Sequence, residues 1–112
     1  MLAVRFKTWV ESDGVAVFGD GRARLLEAIE ATGSLTAAAK ALGMPYRTAW
    51  KHVSHMERGV GTRLLERKAG GARGGGTRLT ETGRRLLRGY RTFRRGLDKW
   101  VEARFRRFVR LA

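Results

Sequence analysis

The stretch from Gly33 to Trp50 constrains this chain more than any other. Gly33 ends a preceding apolar-periodic segment, and the Ser34 side chain can accept from the first free N–H groups of a new helix. Leu35–Leu42 (LTAAAKAL) is a short alanine-rich helix, and Gly43 stops it as a left-handed residue. Pro45 is the single proline in the chain. It suits the first turn of another helix, where its missing N–H costs nothing. That helix, Pro45 to about Arg58, carries Ala49, Val53 and Met56 on one side, with Trp50 bordering them. Two helices joined by so tight a turn must cross closely, which requires small residues; Ala38, Ala39 and Ala49 supply them. This is the pattern of a helix-turn-helix, against the plainer reading of an alanine-rich helical hairpin. Packing through Val53 and Met56 leaves Tyr46, Arg47, Thr48, Lys51 and His55 outward. A helix with that mix can enter a major groove and read base edges near its N-terminus.

The next segment sharpens the choice. Thr62–Ala69 (TRLLERKA) is strand-like around Leu64 and Leu65. Gly70–Gly76 holds five glycines and Arg73, and Thr77–Leu79 is the return strand. A strand, a glycine-rich tip and a second strand form a wing, which can bring arginine onto phosphate or into the minor groove. A nucleotide-phosphate loop is excluded, because Gly76-Thr77 stands where Lys-Ser/Thr is needed. A flexible linker is the remaining plain reading. The candidate DNA-binding residues are Pro45, Tyr46, Arg47, Thr48, Lys51 and His55 on the helix, with Lys68, Arg73 and Arg78 in the wing.

Upstream, Val4–Val10 and Val15–Phe18 flank a turn at Glu11–Gly14 and predict a hairpin. Asp20 can cap a helix over Arg22–Thr32, where Leu25, Leu26 and Ile29 share a face. Downstream, Thr80 caps a long helix from Glu81 to about Arg110. Its apolar positions Leu86, Tyr90, Phe93, Leu97, Trp100 or Val101, Phe105 and Phe108 recur at steps of three and four. So many aromatic residues on one helix call for a partner surface, and we expect a second copy of the chain to bury them, with the first helix and hairpin nearby. A basic amphipathic helix lying on a membrane is the rival. The expected architecture is α+β, mainly α, in a single domain over 1–112. Its parts are a hairpin (1–19), a helix-turn-helix with wing (22–80) and a dimerisation helix (81–110).

Charge agrees with this reading. The chain has 24 Lys and Arg against 10 Asp and Glu, a net charge of +14 and a pI near 11.7. Such a balance attracts a polyanion through counterion release, and arginine in excess of lysine favours bidentate contacts to phosphate or guanine. There is no cysteine, so neither disulfides nor thiolate metal sites are expected. His52 and His55 lack further ligand-type neighbours, so one is read as a packed residue and the other as a groove or phosphate contact rather than as metal ligands. No nucleophile–base pair stands out, so neither catalysis nor a cofactor is expected. No apolar run suits a signal peptide or a membrane span, and the expected location is the cytoplasm.

The run from Leu25 to Tyr90 resembles the DNA-binding domain of ModE-type molybdate-responsive regulators, relatives of the LysR-type regulators. The likeness rests on Thr32-Gly33-Ser34-Leu35 leading to Ala38-Ala39. It continues through Gly43, Tyr46-Arg47 and Ala49-Trp50, and then Gly70-Gly71 and Gly74-Gly75-Gly76 before Leu79-Thr80. The resemblance implies a winged helix-turn-helix dimer on a near-palindromic operator of double-stranded DNA, joined through the last and first helices. It places Tyr46, Arg47, Thr48 and Lys51 at groove-facing positions and Arg73 and Arg78 in the wing. Pro45 stands where a small polar residue is common. The family's oxyanion-binding region would follow Ala112, so the resemblance carries no molybdate response to these residues; a separate oxyanion-sensing partner is conceivable. A non-specific architectural DNA- or RNA-binding protein is the alternative.

Overall fold

The computed structural model describes residues 1–68 and 76–111. The element order is β1 (Trp9–Ser12), β2 (Val15–Gly19), α1 (Asp20–Thr32), α2 (Leu35–Ala41), α3 (Tyr46–Val60), β3 (Leu65–Arg67), β4 (Thr77–Leu79) and α4 (Glu81–Leu111). The strands form two separate antiparallel pairs, β1 with β2 and β3 with β4. This is the winged helix-turn-helix fold, mainly α, that the sequence predicts.

One core joins the pieces. Leu25, Leu26 and Ile29 of α1 pack with Ala38 and Ala39 of α2, Ala49, Val53 and Met56 of α3, Leu64, Leu65 and Leu79 of the wing, and Leu87 and Tyr90 of α4. The three alanines are essentially inaccessible, as the close crossing of α2 and α3 demands. The turn chemistry matches the expectation. Ser34 accepts a 3.1 Å hydrogen bond from the Ala37 N–H, and Gly43 is left-handed at φ 67°.

Several boundaries and roles differ from expectation. The first strand is Trp9–Ser12, not Val4–Val10, and its turn is only Asp13-Gly14, both at positive φ (51° and 80°). That geometry belongs to the two-residue hairpin turns whose twist matches the strands. The residues before β1 serve another purpose. Phe6 lies beneath the Arg94 guanidinium, 4.1 Å from carbon to ring centroid, and Thr8 bonds to Asp20 and Tyr90.

Asp20 does not cap α1; Gly19 is the N-cap and no side chain caps the helix. The Asp20 carboxylate instead accepts from the Tyr90 hydroxyl and from the Thr8 N–H at 3.3 Å, and it faces Arg94 Nε at 3.6 Å. Pro45 stands just ahead of α3, with ψ 147°, rather than inside its first turn. Its carbonyl still accepts from Thr48 and Ala49 N–H. Trp50 does not border the core; it is 54% exposed. Leu87, one position from the expected Leu86, is the fully buried leucine of α4.

Candidate nucleic-acid interface

The wing is fastened to the helix-turn-helix by backbone. Thr77 N–H donates to the Gly33 carbonyl at 2.8 Å, and Lys68 N–H donates to the Gly76 carbonyl at 2.9 Å. The second bond closes the base of the wing beside the turn that opens α2. Glycine is required there, because a Cβ on Gly76 would collide with the Gly33 carbonyl oxygen. The other end of β3 is held by α3, where Glu57 Oε2 accepts from Leu64 N–H at 2.8 Å. Glu57 is the single acidic residue of α3, so this bond keeps its charge on the wing and away from the first turns of the helix.

The result is a cleft of about 460 Å³ between helix and wing. Ser34, Leu35 and Thr36 line it from α2, Tyr46 from the start of α3, and Arg67, Lys68 and Thr77 from the wing. Arg47 and Lys51 are exposed on α3 and Thr48 is half-buried. Among the described residues, no carboxylate lies within ion-pair distance of Arg47, Lys51, Arg67 or Lys68. Unpaired cations beside an open helix N-terminus make a surface built for anions.

Of the residues singled out from sequence, Tyr46 and Lys68 come together in this cleft, and Arg47 and Lys51 lie exposed on the same helix. His55 is exposed, whereas His52 is half-buried and its Nδ1 accepts from Arg22 Nε at 3.3 Å. Burial, with Arg22 and His55 nearby, holds the His52 pKa below its ordinary 6.5. Arg78 is not in the cleft. It pairs with Glu66 at 2.9 Å across the opposite face of the wing hairpin. Arg73 lies outside the described residues.

Sequence reasoning missed Arg67, Thr36 and the exposure of Trp50. The signal for Arg67 was available in the strand period. Leu65 is buried and side chains alternate, so the residue two further on shares its side.

Known proteins agree with this geometry. Residues 21–84 match the bacterial regulatory helix-turn-helix proteins of the lysR family. The molybdenum transport protein ModE of Azotobacter vinelandii is 39% identical, over 91% of this chain and 40% of its own length. The molybdenum-pterin-binding protein MopA of Rhodobacter capsulatus is 37% identical, over 77% of this chain and 32% of its own. The transcriptional regulator ModE of Haemophilus influenzae is 45% identical, over 62% of this chain and 27% of its own. The chain therefore spans less than half the length of these curated relatives.

Two solved structures share the fold, each at 24% identity. A crystal structure of a CbnR DBD–DNA complex matches with a TM-score of 0.58, over 73% of this chain and 88% of that one. ArgP from Mycobacterium tuberculosis matches with a TM-score of 0.55, over 76% of this chain and 30% of that one. By sequence, the chain belongs to the bacterial regulatory helix-turn-helix proteins of the lysR family, with its sequence likeness to ModE-type regulators.

Proposed function

We propose that the chain regulates transcription by binding double-stranded DNA sequence-specifically, as a homodimer on a near-palindromic operator in the cytoplasm. The observation that carries this reading is the cleft in which the wing base presents Arg67 and Lys68 beside Tyr46 at the opening of α3. In this mechanism Arg47 and Lys51 meet base edges in the major groove, while Arg67 and Lys68 neutralise phosphates. Pro45, Thr48 and His55 flank that contact, and Arg78 reaches the backbone only by giving up Glu66. The work is binding, without chemistry.

Dimerisation rests on α4. Phe93, Trp100 and Phe108 are 54%, 58% and 63% exposed along it. A groove of about 560 Å³ opens beside Phe93, between the first hairpin and the end of α3. A second copy meeting this face would bury the aromatic rings, with α1 and the first hairpin at its edge. The molybdenum in the relatives' names is not carried over, since the chain spans 40% or less of the three named above. A non-specific architectural role is less well supported than regulation, because several relatives are named as transcription regulators.

Selection from a pool of random duplexes tests the proposal. A recurring inverted repeat is the expected product. A pool that stays random, or a single unrepeated half-site, would overturn it.

A further inference from the structure

Helix α4 carries far more charge than its place in the proposed interface uses. Eleven Arg and Lys stand in it against Glu81, Asp98 and Glu102, a net +8 out of the chain's +14. The charge is ordered. Arg88, Arg95, Lys99, Arg106 and Arg110 follow one another at steps of seven, four, seven and four, which puts them on a single face. All five are exposed. Tyr90, Leu97 and Val101 lie on the opposite side and Phe93, Trp100 and Phe108 more than a quarter turn away, so pairing through the aromatic rings leaves the basic face open, with Met1 and Leu2 at its edge beside Arg106 and Arg110. Arg106 has only a loose contact with Glu102 at 3.9 Å. Among the described residues, no acid pairs with Arg88, Arg95, Lys99 or Arg110.

The face is also remote from the cleft. Tyr46 opens α3 in the cleft, whereas Gly59 and Val60 close it beside Arg85, Leu86 and Gly89 of α4. The two surfaces are therefore separated by the length of α3, roughly 20 Å. No arginine side chain spans that gap. From Arg88 to Arg110 the row runs roughly 33 Å, close to one turn of duplex at about 34 Å.

The geometry points to a second, sequence-independent DNA site on this face of α4, which holds a duplex segment other than the one in the cleft. The chain would then bridge two stretches of DNA, or clamp one stretch that loops back. This inference rests on the DNA-binding reading above and adds a second contact to it. Duplex DNA is the occupant chosen because a straight row of unpaired cations one helical turn long complements a regular line of phosphates.

The test is a capture assay with the full chain, using an immobilised random-sequence duplex and a labelled duplex free in solution. The comparison variant carries Arg88→Gln, Arg95→Gln, Lys99→Gln and Arg106→Gln; glutamine keeps the helix. Wild type should capture the labelled duplex, and the variant should capture about tenfold less. A second variant, Arg47→Ala and Lys51→Ala with Arg67→Gln and Lys68→Gln, disables the helix and cleft contacts. It should keep a residual, salt-sensitive duplex binding that disappears when the four glutamines are added.

Capture unchanged by the four glutamines would overturn the inference, because two reading heads of one dimer would then explain bridging. Single-duplex binding without capture by wild type would overturn it too, while leaving the proposed function standing. No duplex binding at all would defeat both. Co-sedimentation with phosphatidylglycerol vesicles, abolished by the glutamines and without DNA capture, would reassign the face to a membrane and so also overturn it.

Discussion

Arginine does opposite jobs at the two ends of α1. At its start, Arg22 donates to the Ala16 and Val17 carbonyls at 3.0 and 2.8 Å and to His52, and Arg94 lies between Asp20 and Asp98. Beyond its end, in the cleft after Gly33, Arg67 and nearby Arg47 have no acidic partner among the described residues. Paired and half-buried, the guanidinium holds elements together; unpaired and exposed, it is free for the contacts proposed above. The same residue type is tied into the fold or left open according to whether a carbonyl, imidazole or carboxylate acceptor stands beside it.

Asp20→Ala should give the largest effect on that contrast. It leaves Arg94, whose Nη1 already lacks a partner, with Asp98 alone, and leaves the Tyr90 hydroxyl only the Thr8 carbonyl as acceptor. Losing a hydrogen bond to a charged group and part of a half-buried ion pair costs about 2.5 kcal/mol, read as a lower urea midpoint. A loss no larger than that of an exposed-site control would show the cluster to be decorative.

Arg47→Ala should leave the urea midpoint alone and weaken operator binding by about 2 kcal/mol, with a smaller loss on scrambled DNA. Equal losses on both duplexes would move Arg47 from base reading to the phosphate backbone. Arg67→Gln should weaken all duplexes alike, by about 1 kcal/mol, and make the salt dependence shallower by roughly one unit. An unchanged slope removes Arg67 from the phosphates.

The smallest effect concerns His52. Its folded pKa lies below the ordinary 6.5, so below 6.5 the unfolded chain binds a proton that the folded chain refuses. Stability from this group is therefore complete above 6.5 and falls as the pH drops toward the depressed value, levelling out beneath it. His52→Gln should flatten that part of the urea-midpoint profile. A wild-type profile that the substitution leaves unchanged would mean that burial and its cationic neighbours do not depress His52.

The helix-turn-helix was legible because its determinants are local. Ser34 caps within three residues, Gly43 turns the chain within one, and the alanines of the crossing lie close together in sequence. The misreadings have distant causes. Asp20 looks like a helix cap until Tyr90, 70 residues later, takes its carboxylate. Val4 and Phe6 look like strand until α4 is known to run beside them. The wing's first strand is expected around Leu64 and Leu65, but β3 is Leu65–Arg67, where pairing with Thr77–Leu79 holds it. That shift carries Arg67, an exposed cation, to the cleft wall, while Arg78 turns to Glu66 on the other face of the hairpin.

Thr80 joins the wing to α4. Thr80 N–H donates to the Leu64 carbonyl and the Thr80 hydroxyl to the Arg63 carbonyl, both at 2.8 Å, while its oxygen accepts from Gly83 N–H at 3.1 Å. Strand and helix thus meet at a welded elbow with no hinge residue between them. A helix of 31 residues is a lever roughly 46 Å long, and its short arm is the wing. A displacement at the far tip therefore bears on the wing through the Thr80 hydrogen bonds rather than through a loop.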